Sequence, residues 1–317
     1  MKRTRMKKTA LLIFVLVLIT VAIFVIWSLL SGKVLQVFTI QPDGSVDPAS
    51  APIQRSGNTY TFTSDAYARI VVQRRNIVID GAGHTLHGPF NGTKTGLWII
   101  GEGPNQEFPE GTQTWTIGID LAAESIVGVT IRNLNVKNFT IGTYIWTTNN
   151  ALIGNAFTEN NVGILLSGSG NNMTGNYIAN NEEGIFFGVN EPGDIPLNIT
   201  MSRNCFLNNE VQLSGCVCEE YNQTETPHTW DNGKEGNYWS DYLTKHPNAK
   251  ETGDTGIGDT PYVIDVLNYD RYPLTRIPVA PPTVAQLIPP EVVVTVAILV
   301  TVLVAAAVVF FRKRKLG

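Results

Sequence analysis

Several carboxylates lie beside a repeated asparagine motif, where they could act as acid–base catalysts. Glu159, Glu182 and Glu183 fall in consecutive copies of the motif, and Asp194 follows them. Glycoside hydrolysis needs two carboxyl groups, about 5–5.5 Å apart in retaining enzymes and about 6.5–9.5 Å apart in inverting ones. Stacked repeats would place Glu159 near Glu182 or Glu183. The alternative is that these side chains are solvated and do no chemistry.

A second group of acids could bind calcium. Asp254, Asp259 and Asp265 lie in the segment GDTGIGDTPYVID, which ends at Asp265. Calcium takes six to eight oxygen ligands, commonly from carboxylates and carbonyls. Other residues in this stretch, such as Thr255 and Gly256, are not acidic. The alternative is a turn in which the Asp side chains cap backbone N–H groups, and Ca²⁺ is the one cofactor candidate.

Aromatic side chains form a third candidate site, because their faces stack on sugar rings. The candidates for glycan contact are Trp98, Trp115, Trp239 and Tyr242. Trp239 and Tyr242 belong to a segment with seven large aromatic residues between positions 230 and 272. The alternative for this segment is a hydrophobic plug whose N–H and O–H groups are hydrogen-bonded at its rim.

The three cysteines, Cys205, Cys216 and Cys218, lie within 14 residues. In an oxidising compartment one pair is expected to form a disulfide, which leaves one thiol over. We predict that Cys205 pairs with Cys216. The alternative is metal binding by Cys216 and Cys218, since thiolates are soft ligands that suit cuprous copper.

The fold is indicated by the repeat itself. The pattern Asn, four residues, Asn begins at Asn133, Asn155, Asn176 and Asn204, at offsets of 22, 21 and 28. Short alternating apolar segments separate the asparagines, and this alternation is typical of strands. Short strands with corners at a period near 20 predict an all-β, right-handed, single-stranded parallel β-helix.

The repeat also predicts which side chains stack along the coil. We expect the asparagines of successive turns to form hydrogen-bonded ladders, which makes their abundance structural rather than catalytic. Asn160, Asn181 and Asn209 would form one such ladder. Inside the coil, Ile164 and Ile185 would stack with Val211. A second apolar ladder would contain Leu166, Phe187 and Leu213.

The two ends of the chain indicate a membrane protein. Residues 10–30 carry no charge and follow five basic residues, and residues 292–311 are apolar and precede Arg312 to Lys315. Each segment is long enough to span a bilayer. Basic flanks on the outer-sequence sides predict two cytoplasmic tails and an extracytoplasmic middle. Cleavage of the first segment as a signal peptide is the alternative to an uncleaved anchor.

Composition agrees with a middle region outside the cytoplasm. Only 16% of residues are charged, the net charge is −4, and no basic stripe occurs between the ends, which argues against a nucleic-acid partner. Five Asn-X-Thr sequons are candidate glycosylation sites. They begin at Asn91, Asn138, Asn172, Asn198 and Asn222.

These observations predict a sequence of segments along the chain. The predicted boundaries are a basic tail at 1–9, a membrane span at 10–30, an N-terminal cap at 34–72, the β-helix at 73–218 with an insertion at 88–118, an aromatic C-terminal cap at 219–276, a proline-rich stalk at 277–291, a second span at 292–311 and a basic tail at 312–317.

Two phrases carry a resemblance to known families. VIDGAGHTLHG, residues 78–88, resembles the first turn of the carbohydrate-binding and sugar-hydrolase β-helix repeat family. WDNGKEGNYWSDY, residues 230–242, together with residues 253–274, resembles the C-terminal end of NosD-like proteins. The resemblance implies a right-handed parallel β-helix. It also implies copper-site maturation as one function, for which the sequence has no Met-rich or His-rich tract.

We therefore predict a membrane-anchored surface β-helix that binds a glycan or other envelope polymer without cleaving it. The flat faces of a β-helix present rows of equivalent side chains, which suit a repeating polymer. Two alternatives stay open at this point. One is a polysaccharide hydrolase or lyase, and the other is a NosD-like accessory protein that handles copper.

Overall fold

A computed structural model describes residues 34–90, 116–123, 125–188, 196–215 and 228–278. They form a coil of short strands in three parallel sheets. Sheet A contains β1 (Gln36–Ile40), β5 (Ala66–Val72), β8 (Ile117–Leu121), β11 (Ile141–Ile145), β14 (Val162–Leu166), β17 (Glu183–Phe187) and β20 (Val211–Gly215). A short strand, β2 (Val46–Asp47), pairs antiparallel with β1.

The other two sheets complete each turn of the coil. Sheet B contains β3 (Ile53–Ser56), β4 (Thr59–Phe62), β6 (Val78–Asp80), β9 (Thr130–Arg132), β12 (Ala151–Ile153), β15 (Asn172–Thr174) and β18 (Thr200–Ser202). Sheet C contains β7 (Thr85–His87), β10 (Asn135–Lys137), β13 (Ala156–Thr158), β16 (Tyr177–Ala179), β19 (Cys205–Leu207) and β21 (Tyr238–Trp239), and β5 pairs with β7 as well as with β8.

The chain passes from sheet B to sheet C to sheet A in each turn, and equivalent strands of successive turns pair in parallel. This confirms the predicted parallel β-helix. Within the described residues, no helix has the length and apolar character needed to cross a bilayer. Both predicted spans, the basic tails and nearly all of the proline-rich stalk lie outside the described residues.

Asparagine ladders fix the corners. Between sheets B and C, the backbone N–H of Asn155 donates to Oδ1 of Asn176 at 3.0 Å, and Asn176 makes the same bond to Asn204. Each side-chain amide also donates to a carbonyl of the preceding turn, as Asn155 does to Ile131 at 2.8 Å. A second ladder, between sheets C and A, joins Asn160, Asn181 and Asn209, as predicted.

Glycines follow the second ladder because the backbones of adjacent turns approach closely there. A Cβ on Gly163 would lie 2.6 Å from the carbonyl oxygen of Gly184 in the next turn. Such contacts are sterically forbidden, so a side chain at this position would force the turns apart. Gly142 and Gly184 occupy the same place in the neighbouring turns and meet equivalent carbonyl oxygens at 2.5 Å.

The apolar ladders inside the coil differ from the prediction by two residues in the last turn. Ile164 and Ile185 do stack, but Leu213 is the residue that continues their row. Val211 pairs with Glu183 instead, and the row of Leu166 and Phe187 ends at Gly215. The reason is that the Ile164 row lies four positions after the ladder asparagine in every turn, so Asn209 places Leu213 in that row and sets the register of β20.

The C-terminal segment closes the coil with stacked aromatic rings. Phe206 stacks on Trp239 at 4.4 Å between ring centroids, and Trp239 stacks on Tyr262 at 4.3 Å. Tyr262 belongs to a small antiparallel pair, β22 (Tyr262–Val263) and β23 (Tyr269–Asp270), next to one short helix, α1 (Tyr242–Lys245). The rings cover the last turn, which would otherwise expose apolar core residues.

Asp270 ends the first asparagine ladder inside this cap. Its carboxylate accepts hydrogen bonds from the backbone N–H of Asn237 at 2.6 Å, from Nε1 of Trp239 at 3.0 Å and from the backbone N–H of Tyr272 at 3.0 Å. The side chain is fully buried. Burial outweighs the donated hydrogen bonds and raises the pKa of Asp270 to about 6.

This pKa predicts how stability depends on pH. The pKa of the folded state lies above the ordinary 3.8, so the folded protein binds more protons than the unfolded chain between about pH 4 and pH 6. The stability contributed by Asp270 is complete below this window and is lost as the pH rises through about 6. Urea unfolding of the wild type and of Asp270→Asn, which does not titrate, should give a free-energy difference that falls from pH 4 to pH 6.5. A difference that does not change with pH would contradict the assignment.

Candidate functional site

A cleft of about 440 Å³ runs along the corner between sheets C and A. One residue per turn in this corner has a left-handed backbone with φ between 53° and 60°, and the cleft follows that row over four turns. The row consists of Asn138, Glu159, Asn180 and Asn208. The other lining residues are Phe90, Asn160, Asn161, Asn181, Glu182 and Glu210.

Two of the lining asparagines use their hydrogen-bonding groups to stabilise the fold. Asn160 donates its backbone N–H to Oδ1 of Asn181 at 3.0 Å and its side-chain amide to the carbonyl of Val136 at 3.2 Å. Asn181 makes the equivalent bonds to Asn209 and Phe157, at 3.0 Å each. These side chains form the floor of the cleft, but their hydrogen-bonding groups are already used.

Asn161 behaves differently from its neighbour. Its side chain is only 1% exposed, yet neither its Oδ1 nor its Nδ2 has a hydrogen-bond partner. Buried amides without partners cost about 1–3 kcal/mol and are rare in folded proteins. Asn161 therefore presents one unsatisfied donor and one unsatisfied acceptor to the cleft that it lines.

Glu182 lies one turn above Asn161. Its backbone N–H donates to the carbonyl of Asn160 at 3.3 Å, and the next residue donates to the carbonyl of Asn161 at 2.9 Å. Stacked residues of adjacent turns are separated by about 4.8 Å. Oε2 of Glu182 is buried and has no partner. A carboxylate and an amide, both unsatisfied, thus lie one above the other in the same cleft.

Glu183 begins β17 beside this pair. Its Oε2 accepts a short hydrogen bond from Oγ of Ser214, and the side chain is partly buried. Burial raises the pKa of Glu183, and the neighbouring charge of Glu182 raises it further, against the opposing effect of Ser214. At the other side of the cleft, Oε2 of Glu159 lies 3.7 Å from Nζ of Lys137.

The structure therefore brings together three of the four acids proposed from the sequence. Glu159 and Glu182 line the cleft and Glu183 adjoins it, whereas Asp194 lies outside the described residues. Sequence reasoning missed Asn161, because its type is the same as that of the ladder residue before it. The doubled asparagine at 160–161 was the available signal, since a ladder requires only one asparagine per corner.

The aromatic candidates do not join this site. Trp239 and Tyr242 are buried in the C-terminal cap, where the hydroxyl of Tyr242 donates to the carbonyl of Thr260 at 2.7 Å. Neither ring presents a face to a ligand, because covering the last turn of the coil uses both. Trp98 and Trp115 lie outside the described residues.

The calcium candidates are separated and used locally. Asp259 accepts a bond from the backbone of Lys250 at 3.0 Å, and Asp265 accepts from the backbone of Leu267 at 2.7 Å. Asp254 is exposed and pairs with Arg276 at 2.7 Å. Across the part of the chain that the structure describes, no group of three or more His, Cys, Asp or Glu side chains could hold a metal ion. The three aspartates thus act as turn caps and an ion-pair partner.

Cys205 is buried on sheet C with a free thiol, rather than in the predicted disulfide. It lies between Tyr177 and Tyr238 of the adjacent turns, and burial raises the pKa of the thiol to about 12. The expected partner, Cys216, lies outside the described residues, as does Cys218.

Three of the five sequons are described. Asn172 and Asn198 are exposed, and Asn138 lies at the edge of the cleft. Asn91 and Asn222 lie outside the described residues. Glycosylation at any of them stays a prediction.

Comparison with known proteins gives one family. Residues 58–244, more than half of the chain, match the family described as periplasmic copper-binding protein (NosD). No curated protein matches the chain. No solved structure matches it either.

Asn160 and Asn161 provide a matched pair for a stability test. Asn160→Ala removes ladder hydrogen bonds and should lower the free energy of unfolding by about 2 kcal/mol or more. Asn161→Ala removes two unsatisfied groups and should leave stability within about 1 kcal/mol of the wild type or raise it. Urea unfolding of both variants checks this. Equal destabilisation by the two substitutions would show that Asn161 also supports the fold.

Proposed function

The chain belongs to the NosD family, and from this premise we propose that it is an extracytoplasmic β-helix protein that binds an envelope glycan without cleaving it. The binding site is the corner cleft. The family description is that of a periplasmic protein, which supports a location outside the cytoplasm. It agrees with the basic residues that flank both apolar ends of the chain.

The observation that carries this proposal is the unsatisfied amide of Asn161 below the unsatisfied carboxylate oxygen of Glu182. Stability alone gives no reason to bury such groups, whereas ligand sites often retain them. Sugar hydroxyls both donate and accept hydrogen bonds, so they complement an amide and a carboxylate. The cleft also extends over four turns, which suits an oligomeric ligand better than a single small molecule.

Copper, which the family description names, does not fit the described residues. They contain no group of three or more His, Cys, Asp or Glu side chains able to hold a metal ion. The thiol of Cys205 is buried and protonated because its pKa is raised to about 12, and copper binds the thiolate form. The soft pair Cys216 and Cys218 lies outside the described residues.

Glycoside hydrolysis is the second candidate, and Glu183 favours it. Its raised pKa suits a general acid, and the neighbouring Glu182 would serve as the other carboxylate. Ser214 and β20 partly enclose Glu183, however, which argues for a structural role. If the wild type releases new reducing ends and Glu183→Gln does not, the function is hydrolysis rather than binding.

Binding can be tested with the purified full chain in detergent and a panel of peptidoglycan fragments, a neutral glucan and chito-oligosaccharides. At least one polymer should bind by calorimetry without release of reducing ends. Asn161→Ala should weaken that binding at least about tenfold, since lost hydrogen bonds in a buried site cost about 1–3 kcal/mol.

The control is Asn172→Ala, because Asn172 is exposed on sheet B, away from the cleft. It should bind like the wild type. Two results would contradict the proposal: no binding to any polymer, or binding that Asn161→Ala leaves unchanged.

We also propose that residues 10–30 and 292–311 anchor the protein in the membrane. Each segment is apolar and roughly 20 residues long, which is the length a helix needs to span a bilayer. The chain expressed in cells should remain in the membrane pellet after carbonate washing at pH 11 and dissolve only with detergent. A variant lacking both segments should appear in the soluble extracytoplasmic fraction if a cleavable signal replaces the first one. Release of the full chain by carbonate would contradict anchoring.

A further inference from the structure

The charges around the cleft indicate which glycans it accepts. Three carboxylates line it and, among the described lining residues, there is no lysine or arginine. The adjoining Lys137 is paired with Glu159, so it does not neutralise Glu182. A glycan that carries carboxylates, such as a polyuronate, would meet repulsion from Glu182.

Asn161 distinguishes this row of acids from an ordinary solvated surface. The side chain is 1% exposed, lines the cleft and has neither donor nor acceptor satisfied. Its position below Glu182 defines a point between the two side chains where one ligand atom could contact both. Because the turns are about 4.8 Å apart, a ligand atom set to one side of the line between the two residues could lie about 2.8 Å from both side chains.

An ammonium group suits this point better than a hydroxyl. The site holds two acceptor oxygens without partners, Oε2 of Glu182 and Oδ1 of Asn161, and a hydroxyl has a single proton, which can satisfy only one of them. An ammonium has three donors and no acceptor, so it satisfies both oxygens at once. Its bond to the carboxylate is charge-assisted and about twice as strong as a neutral bond. The remaining Nδ2 of Asn161 can then donate to an adjacent sugar hydroxyl.

Resting on the glycan-binding function proposed above, we infer that the ligand is a polymer of amino sugars whose amines are free rather than acetylated. Glu182 and Asn161 bind one ammonium and so determine specificity. The other turns of the cleft, with Asn138, Asn180 and Asn208 at its edge, contact the hydroxyls of neighbouring sugar units. An acetylated amine carries no charge and has one donor in place of three.

The test compares three tetrasaccharides against the full chain in detergent by calorimetry: glucosamine, N-acetylglucosamine and galacturonate. The glucosamine tetramer should bind at least tenfold more tightly than the acetylated one, and the galacturonate tetramer should not bind. Affinity for the glucosamine tetramer should fall with added salt, because the contact includes a charge pair.

Glu182→Gln keeps the shape of the side chain and removes its charge, so it should abolish the preference for the free amine while acetylated binding persists. Glu235→Gln is the matched control, since Glu235 is an acid that pairs with Arg203 away from the cleft. It should retain the full preference.

Distinct results separate this inference from the proposed function. Equal or tighter binding of the acetylated tetramer would overturn the inference and leave glycan binding intact. Binding of the glucosamine tetramer that disappears with EDTA would also overturn it, because a metal ion would then occupy the place assigned to the ammonium. Absence of binding to all three tetramers and to the wider panel would overturn both.

Discussion

The hydrogen bond between asparagines of successive turns is the interaction on which this fold depends. In each ladder an asparagine side chain makes two bonds to the turn before it. Oδ1 of Asn176, for example, accepts the backbone N–H of Asn155, and Nδ2 of Asn176 donates to the carbonyl of Leu152. A corner breaks the strand pairing, so its backbone groups would be buried without partners if the amide were absent. The ladder supplies those partners in every turn. It thereby fixes the register of all three sheets, because each strand begins at a set distance from its asparagine.

The candidate site follows from the same constraint. At the corner between sheets C and A, the left-handed residue and the residue after the ladder asparagine both project their side chains beside the coil. These two positions recur once in every turn, so polar side chains at them form rows along the coil. Glu182 and Asn161 occupy such a row without contributing to the ladder. The scaffold holds them in place through their backbones, which leaves their side chains for a ligand.

Much of the fold could be predicted because the determining signal is short and repeated. The Asn133, Asn155, Asn176 and Asn204 copies are each interpretable by themselves, and the structure has the coil that they indicate. The assignment of Val211 to the core row was wrong because hydropathy alone was used in the last turn, where Asn209 sets the register. Trp239 and Tyr242 could not be distinguished from surface aromatics by type, since their burial depends on residues distant in sequence. Trp239 stacks between Phe206 and Tyr262, and the hydroxyl of Tyr242 donates to the carbonyl of Thr260. Asn161 was missed for a similar reason. The doubled asparagine does not reveal which residue bonds within the fold, and the folded chain gives the Asn160 amide three partners and the Asn161 amide none.

Two adjacent asparagines at this corner differ in how far the fold uses them. Asn160 and Asn161 are adjacent and chemically identical, yet one completes the fold and the other leaves hydrogen-bonding capacity unused. The C-terminal cap shows the opposite arrangement, because Asp270 is buried as deeply and each of its bonds serves the structure. The contrast favours the side of the coil, rather than its closed end, as the proposed binding surface.

The most direct test of the central claim is hydrogen–deuterium exchange of the full chain with and without the glucosamine tetramer at saturating concentration. If the corner cleft is the binding site, exchange should slow in peptides that contain Glu159 to Asn161 and Asn180 to Glu183. Peptides from the cap around Tyr262 and from β4 should not change. Slowing confined to the cap, or no slowing at the corner while the tetramer is bound, would contradict the account.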